Sequence, residues 1–342
     1  MRTLRPWLIG MMVVFVASCQ HKDLCYLHPH TLPVQVDVDW SEFVVEQPTG
    51  MTVMAFNTQW PPPYRKTTHD LNQVTFDLPR GEYFFLAFNQ SESEFGSFSF
   101  RNMDCFETAE VVTATYKSPW YKTKSEEELV AVEPEWLGVD RSGPFVVTDE
   151  MIELHAKAMQ LNVRGPELAG AITTLMPHNV VYTIYVEVYN INNIYNLRAA
   201  RASIDQMAEG YLLGLGHAND NHVTHLMENW QSYTYEEDAS KGYLTTTFTC
   251  FGLPGNHQGT AEENELCLHL LLVDNETVVE HRVHIGDQFE VHQDEHTLSM
   301  SLHLKLDLNI TLPDVEPVEG GGGGFDATVD DWGDEIEHNV DL

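Results

Sequence analysis

The chain has little basic charge, with 18 lysines and arginines against 52 aspartates and glutamates, a formal net charge of −34 over 342 residues. A field of that sign repels nucleic acid and anionic lipid surfaces, which excludes nucleic-acid binding. Catalytic signatures are missing too. There is no Gly-x-x-x-x-Gly-Lys phosphate loop, no Gly-x-Ser-x-Gly elbow and no His-Glu-x-x-His helix. Neither an enzyme activity nor a cofactor is therefore expected. Beyond residue 18 no stretch stays apolar for 18 residues, so no later segment is a candidate membrane span. Cysteine is scarce, at five residues, and helical periodicity is rarer still.

What is present begins with a targeting segment. Arg2 and Arg5 precede an almost unbroken apolar run from Trp7 to Ala17, too short to cross a bilayer as a helix. A basic start, a short apolar core and small residues before a cut site make a secretory signal. Val16-Ala17-Ser18 stands before Cys19, in the order of a lipobox, where cleavage exposes a cysteine that then carries lipid. The alternative is an ordinary signal whose cysteine is incidental. Two or three acyl chains would make the anchor permanent, since each buried methylene contributes about 0.8 kcal/mol. Gln20, in place of an aspartate, points to the outer membrane, and Lys22-Asp23 hints at the cell surface. Loss of residues 1–18 removes two arginines and no acids, taking the formal charge from −34 to −36.

Four cysteines remain: Cys25, Cys105, Cys250 and Cys267. In an oxidising compartment they permit three pairings. Cys250 with Cys267 could join neighbouring strands and Cys25 with Cys105 could close the first domain. Free buried thiols are the equal alternative.

Most of the remaining chain reads as strand. Val34, Val36, Val38 and Trp40 alternate with polar residues, as do Val74, Phe76 and Leu78, while Tyr83 to Phe88 is continuously apolar and suits a central strand. Val180 to Val188, Tyr243 to Cys250, Leu266 to Val273 and Thr277 to Ile285 are further strands. Leu298, Met300, Leu302, Leu304, Leu306, Leu308, Ile310 and Leu312 occupy every second position. Extended, this stretch would be roughly 50 Å long, beyond the usual strand, so it either bends or pairs outside its own domain. Two helices are predicted. One follows Thr148-Asp149, with Met151, Leu154, His155, Ala158 and Met159 at helical spacing; the other covers Leu197 to Ala208. Short strands with few helices predict an all-β fold of two tandem β-sandwiches. The segments are 1–18 signal, 19–165 first sandwich, 166–312 second sandwich and 313–342 tail. That tail holds ten acids, no lysine or arginine and five consecutive glycines at 320–324, which predicts a flexible, solvated extension.

Seventeen histidines invite a metal reading. His217, Asp220, His222 and His225 lie within nine residues and form a weak metal candidate, with a solvated loop as the plainer reading. The tail carboxylates do not follow the spacing of a 12-residue calcium loop. Trp60-Pro61-Pro62-Pro63-Tyr64 is a stiff segment that could touch a partner or a glycan, with a loop whose aromatics fold back on the sheet as the plainer reading.

Two stretches carry a resemblance. Cys19-Gln20-His21-Lys22-Asp23-Leu24-Cys25-Tyr26-Leu27-His28-Pro29-His30 resembles the opening of a large group of Bacteroidales lipoproteins. Phe325-Asp326-Ala327-Thr328-Val329-Asp330-Asp331-Trp332-Gly333-Asp334-Glu335, after the glycines, resembles their ending. Those lipoproteins are similar to fimbrial anchor and assembly subunits, the minor-fimbrium anchor family; Leu27 departs from the pattern, which has an acid there. The resemblance implies sandwiches of transthyretin-like, fimbrillin type, a lipid anchor at Cys19 and fimbrial or other surface proteins as partners. It further implies joining by strand complementation, in which one chain completes another's sheet edge. Leu298–Leu312 would then be a donor or bent terminal strand, against the plain reading of a last core strand. The expected function is an outer-membrane lipoprotein that anchors or assembles a fimbria-like structure. The alternative is a surface lipoprotein binding glycan or another nutrient, favoured if Trp and Tyr gather exposed on one face.

Overall fold

Strands of different exposure pattern sort into sheets with one or both faces covered. The structure, a computed structural model, describes residues 30–160, 171–293 and 300–318. The signal segment, Cys19, Cys25, Leu298 and the chain beyond residue 318 lie outside the described residues.

The chain opens with β1 (Thr31–Val38), β2 (Met51–Asn57), β3 (Tyr64–Thr68), β4 (Gln73–Pro79) and β5 (Gly81–Asn89). Next come β6 (Phe98–Arg101), β7 (Glu110–Thr113), β8 (Thr115–Tyr116), β9 (Val130–Ala131) and β10 (Gly138–Val147). Helix α1 (Asp149–Gln160) is the one α-helix among the described residues. Thr148 caps it by accepting from the Met151 N–H at 3.2 Å. Its buried face is Ile152 and Ala156, whereas Leu154 and Met159, expected inside, are exposed. Strands β11 (Ala171–Leu175) and β12 (His178–Asn179) follow.

These elements build one sandwich from sheets β11-β1-β4 and β12-β10-β5-β2-β3. Val34, Val36, Phe76 and Leu78 from one sheet meet Val53, Ala55, Tyr83 and Phe85 from the other. Strand β5 is central, which explains its unbroken apolar run. Tyr83, Phe85 and Ala87 face this core, while Leu86 and Phe88 face a second one on the opposite side. Because β11 pairs with β1 and β12 with β10, the first sandwich takes strands from beyond the expected boundary at residue 165, itself outside the described residues.

The rest of the chain supplies β13 (Tyr182–Asn192), β14 (Leu197–Ala208), β15 (Gly210–Leu212), β16 (His217–Ala218), β17 (His222–Met227) and β18 (Gln231–Thr234). Strands β19 (Lys241–Cys250), β20 (Glu265–Leu272), β21 (Val278–His284), β22 (Glu290–Gln293) and β23 (Met300–Asp307) complete it. Sheets β18-β19-β13-β23-β22 and β21-β20-β14-β17-β9-β8 enclose the second core.

The segment expected as a helix at Leu197 to Ala208 is instead strand β14, an interior strand between β20 and β17. Its sequence, rich in alanine, leucine and arginine, favours helix, but tertiary context overrides that preference. Ala200, Ala202 and Ile204 fill the core, while Arg201, Ser203 and Asp205 alternate outward.

A four-stranded sheet, β16-β15-β7-β6, ties the halves together, two strands coming from each. It covers the second face of β5 through Phe98, Val111, Tyr211 and Ala218. Buried Glu209 accepts from Arg101 Nη1 at 3.3 Å and from Asn221 Nδ2 at 2.9 Å across this joint. Between β8 and β9, which join the edge of the second sandwich, residues 117–129 cross its outer face as a strap. There Trp120 stacks on the Arg201 guanidinium, 4.1 Å from the ring centroid. Lys124 Nζ donates to Asp205 (2.7 Å) and Glu265 (2.8 Å), and the Thr224 N–H donates to the Leu129 carbonyl at 2.8 Å.

Candidate functional site

The terminal strand was expected to be long enough to bend or to leave its domain, and it bends. Strand β23 stops at Asp307, Asn309 takes a left-handed φ of 46°, and the chain resumes beside Asn192. The Asn192 N–H donates to the Ile310 carbonyl at 2.7 Å, and the Leu312 N–H returns the bond to Asn192 at 3.1 Å. Leu302, Leu304, Leu306, Ile310 and Leu312 are buried in the second core, and Met300 and Leu308 are partly buried. On its flanks β23 pairs in parallel with β13 and antiparallel with β22. It is thus an interior strand of its own sheet, occupied on both sides. The tail begins differently from expectation. Residues 313–318 dock on the fold, with Asn196 Nδ2 donating to the Pro313 carbonyl at 2.9 Å and the Val318 N–H to Val273 at 3.3 Å.

Outward positions of the same sheet carry rings. Tyr233 on β18 stacks on Tyr243 of β19 at 5.1 Å and 18°, with Tyr189 and Tyr235 at 5.6 and 5.8 Å from that central ring. A second group joins Tyr185 to His303 at 4.7 Å and His303 to His292 at 4.3 Å. Cross-strand register explains the gathering, since Tyr233 lies opposite Tyr243 and Tyr185 opposite His303. Tyr185 and Tyr233 are 41% and 42% exposed. The Tyr189 hydroxyl donates to Glu187 at 2.6 Å, and that carboxylate, with burial, pushes its pKa up to about 12. Burial and then the nearby His292 and Lys305 charges hold the His303 imidazole below its ordinary value. At the rim, β22 is exposed along all four residues, Val291 to 61%, and among the described residues it pairs with β23 alone. The site is therefore a flat ring-bearing sheet face bounded by an open strand edge. Such a face offers aromatic rings for stacking and, along its rim, backbone groups for pairing.

Other expected sites are dispersed. His217 stands on β16 with Nδ1 against the Ala218 carbonyl at 2.8 Å, and Asp220 and His222 are exposed. His225 is fully buried, 5.3 Å from the Phe248 ring, with neither nitrogen hydrogen-bonded. Burial alone lowers its pKa to about 4. These four residues are not brought together as a metal site, because strand alternation sends His225 inward while His222 stays at the surface. Cys105, Cys250 and Cys267 are free thiols. Cys250 points into the second core from β19, whereas Cys267 is on β20 of the other sheet and faces away from that core, so the 250–267 pairing is not formed. Cys25, the other partner for Cys105, lies outside the described residues. Trp60 does not fold back as expected but stands 59% exposed, while Tyr64 packs 6.3 Å from Tyr83. No helix among the described residues is long and apolar enough to cross a membrane.

Sequence reading missed the tyrosine face and a Cys267-x-His269 pair on one strand. The period of two was a signal for both; the cross-strand partners were not readable without register.

The model of a family described as a domain of unknown function (DUF5119) matches residues 18–228, well over half of the chain. The chain belongs to this family. Its match starts at the residue before Cys19 and ends one residue after β17, so it takes in the whole joint between the halves. None of the curated proteins matches the chain. Among solved structures, a "putative adhesin" from Bacteroides ovatus is similar at a TM-score of 0.54 and 15% identity, covering 84% of this chain and 94% of its own. The fold is shared with that protein. A second protein so named, from Bacteroides thetaiotaomicron, aligns at a TM-score of 0.44 and 11% identity over 77% of this chain and 82% of its own. The fimbrial anchor protein Mfa2 from Porphyromonas gingivalis aligns at 0.44 and 10% identity over 79% and 94%.

Proposed function

We propose that this chain is an outer-membrane lipoprotein, acylated at Cys19, that anchors or assembles a fimbria-like surface structure by strand complementation. The observation that carries the reading is the two-sandwich fold shared over 84% of the chain with the candidate adhesin from Bacteroides ovatus. Val16-Ala17-Ser18-Cys19 supplies the anchor. The contact is assigned to the β22 edge, where four exposed residues and, among the described residues, a single neighbouring strand favour addition of a partner strand. Interior strand β23 serves as the wall against which that edge is built. A photo-crosslinker at Val291, followed by capture from intact cells, should trap a fimbrillin-like subunit; a crosslinker at exposed Val146 should not. Capture of the same partner from both positions, or from neither, refutes the edge assignment.

A second reading is favoured by the tyrosine face. Tyr243 and the three rings around it form an aromatic cluster, and Tyr233 at its exposed end offers a ring on which a sugar could stack. Retention on a glycan array that is lost in Tyr233→Ala, together with no protein captured at Val291, would replace assembly by glycan binding.

A further inference from the structure

Strand β20 puts Leu266, Leu268 and Leu270 into the second core, so its alternate residues Cys267 and His269 share the opposite face. Antiparallel pairing with β21 brings Glu280 directly opposite His269 and Arg282 opposite Cys267. Cys267 Sγ lies 3.3 Å from His269 Nε2. One ligand atom from each of Cys267, His269 and Glu280 lies within 4.8 Å of the other two, a grouping no other such side chains reach among the described residues.

We propose that Cys267, His269 and Glu280 form a binding site for a soft divalent metal ion, zinc by preference. Zinc takes thiolate sulfur at about 2.3 Å and imidazole nitrogen at about 2.0–2.1 Å, so tetrahedral coordination sets the two atoms about 3.5 Å apart. The observed 3.3 Å needs almost no adjustment. Glu280 holds Arg282 Nε with Oε1 at 2.5 Å and stands with Oε2 3.8 Å from Nδ1, the ring nitrogen of His269 that would not bind the ion; turning its side chain brings a carboxylate oxygen, already within 4.8 Å of the other ligand atoms, to the ion. Solvent completes the fourth position. A thiol, an imidazole and a carboxylate together select zinc over magnesium or calcium, which take oxygen alone.

Access and charge both fit. Cys267 is buried, but the His269 and Glu280 side chains are 21% and 33% exposed, so an ion enters from solvent. Of the cations nearby, Lys124 is matched by Asp205 and Glu265 and Arg282 by Glu265 and Glu280, while Arg201, opposite His269, stacks against the Trp120 ring. Binding breaks the Cys267 S–H bond and releases its proton to water as the sulfur–metal bond forms. Trp120 of the strap stands edge-on to His269 at 5.8 Å and shields one side of the imidazole.

Cobalt(II), a spectroscopic stand-in for zinc, tests this on the full chain. The wild type should take up one ion with the near-ultraviolet band of thiolate-to-cobalt charge transfer, which histidine and carboxylate sites lack. That band should persist in Cys25→Ser and Cys105→Ser and vanish in Cys267→Ser. His269→Ala, at a partly exposed position and therefore safe for folding, should weaken zinc by more than about 100-fold, since even outer partners of ligands are worth 10- to 100-fold. Absence of the band in the wild type, its survival in Cys267→Ser, or unchanged zinc affinity in His269→Ala overturns the site. None of these readouts depends on fimbrial or glycan partners.

Discussion

Gly210 lies so close to Val111 that a Cβ added to it would sit 2.0 Å from the Val111 carbonyl oxygen. This contact is where β15 of the second half meets β7 of the first, in the sheet that joins them. Gly210→Ala must push the strands apart, and overpacking of this kind costs about 1–3 kcal/mol. At Gly96 a new Cβ meets nothing closer than 4.0 Å, so Gly96→Ala should stay within about 0.5 kcal/mol of wild type. Thermal unfolding of the two variants should differ by several degrees. Equal midpoints would show that the joint is not tightly packed there.

His225 predicts a dependence on pH. Its imidazole is buried without a hydrogen bond and titrates at about 4, below the unfolded value of about 6.5. Between those values the unfolded chain binds the extra proton, so stability falls as the pH drops through this window, by up to about 3 kcal/mol. Above the unfolded pKa the effect is absent. His225→Leu should flatten this part of the stability profile measured by urea denaturation from pH 7 to pH 4. A variant profile parallel to wild type would count against it.

The start of the acidic tail belongs to the fold. Truncation after Val318 should leave the midpoint of unfolding unchanged. Truncation after Leu312 removes the carbonyl of Pro313 and the carboxylate of Asp314, both of which accept from buried Asn196. An unsatisfied buried amide costs about 1–3 kcal/mol, so this shorter chain should melt several degrees lower. Equal stability of both truncations would return residues 313–318 to the solvated tail.

The strap predicts local opening. Trp120 stacks on Arg201 and donates from Nε1 to Glu228, so Trp120→Ala frees the strap's centre. Hydrogen exchange at the Thr224 amide, bonded to Leu129, should then accelerate, while amides of β5 stay protected. Uniform acceleration throughout would mean that the strap is part of the global unfolding unit.

Leu304 tests the terminal strand. It is fully buried between the sheets, and Leu304→Ala should cost about 2–5 kcal/mol, against less than about 0.5 for Lys305→Ala on the outer face. Denaturant midpoints check both.

Local pattern determined the all-β class, the strands around Val34, Phe76, Ile184, Phe248 and Leu268, the unbroken apolar strand at Tyr83, and the burial of Leu302, Leu304 and Leu306, because alternation and apolar runs along an extended chain are local properties. It also marked Thr148 as the cap of α1. Tertiary structure decided the rest. Leu197–Ala208 became a strand because the slot between β20 and β17 accepts small residues and supplies hydrogen bonds on both sides, which outweighs its intrinsic helical preference. The exchange of strands between the halves at β7–β15 depends on Gly210 letting two backbones meet. The Tyr189–Tyr233–Tyr235–Tyr243 platform and the Cys267–His269–Glu280 group each need a partner strand in one register. Register is a long-range pairing, and a single strand's sequence records only which face each side chain takes.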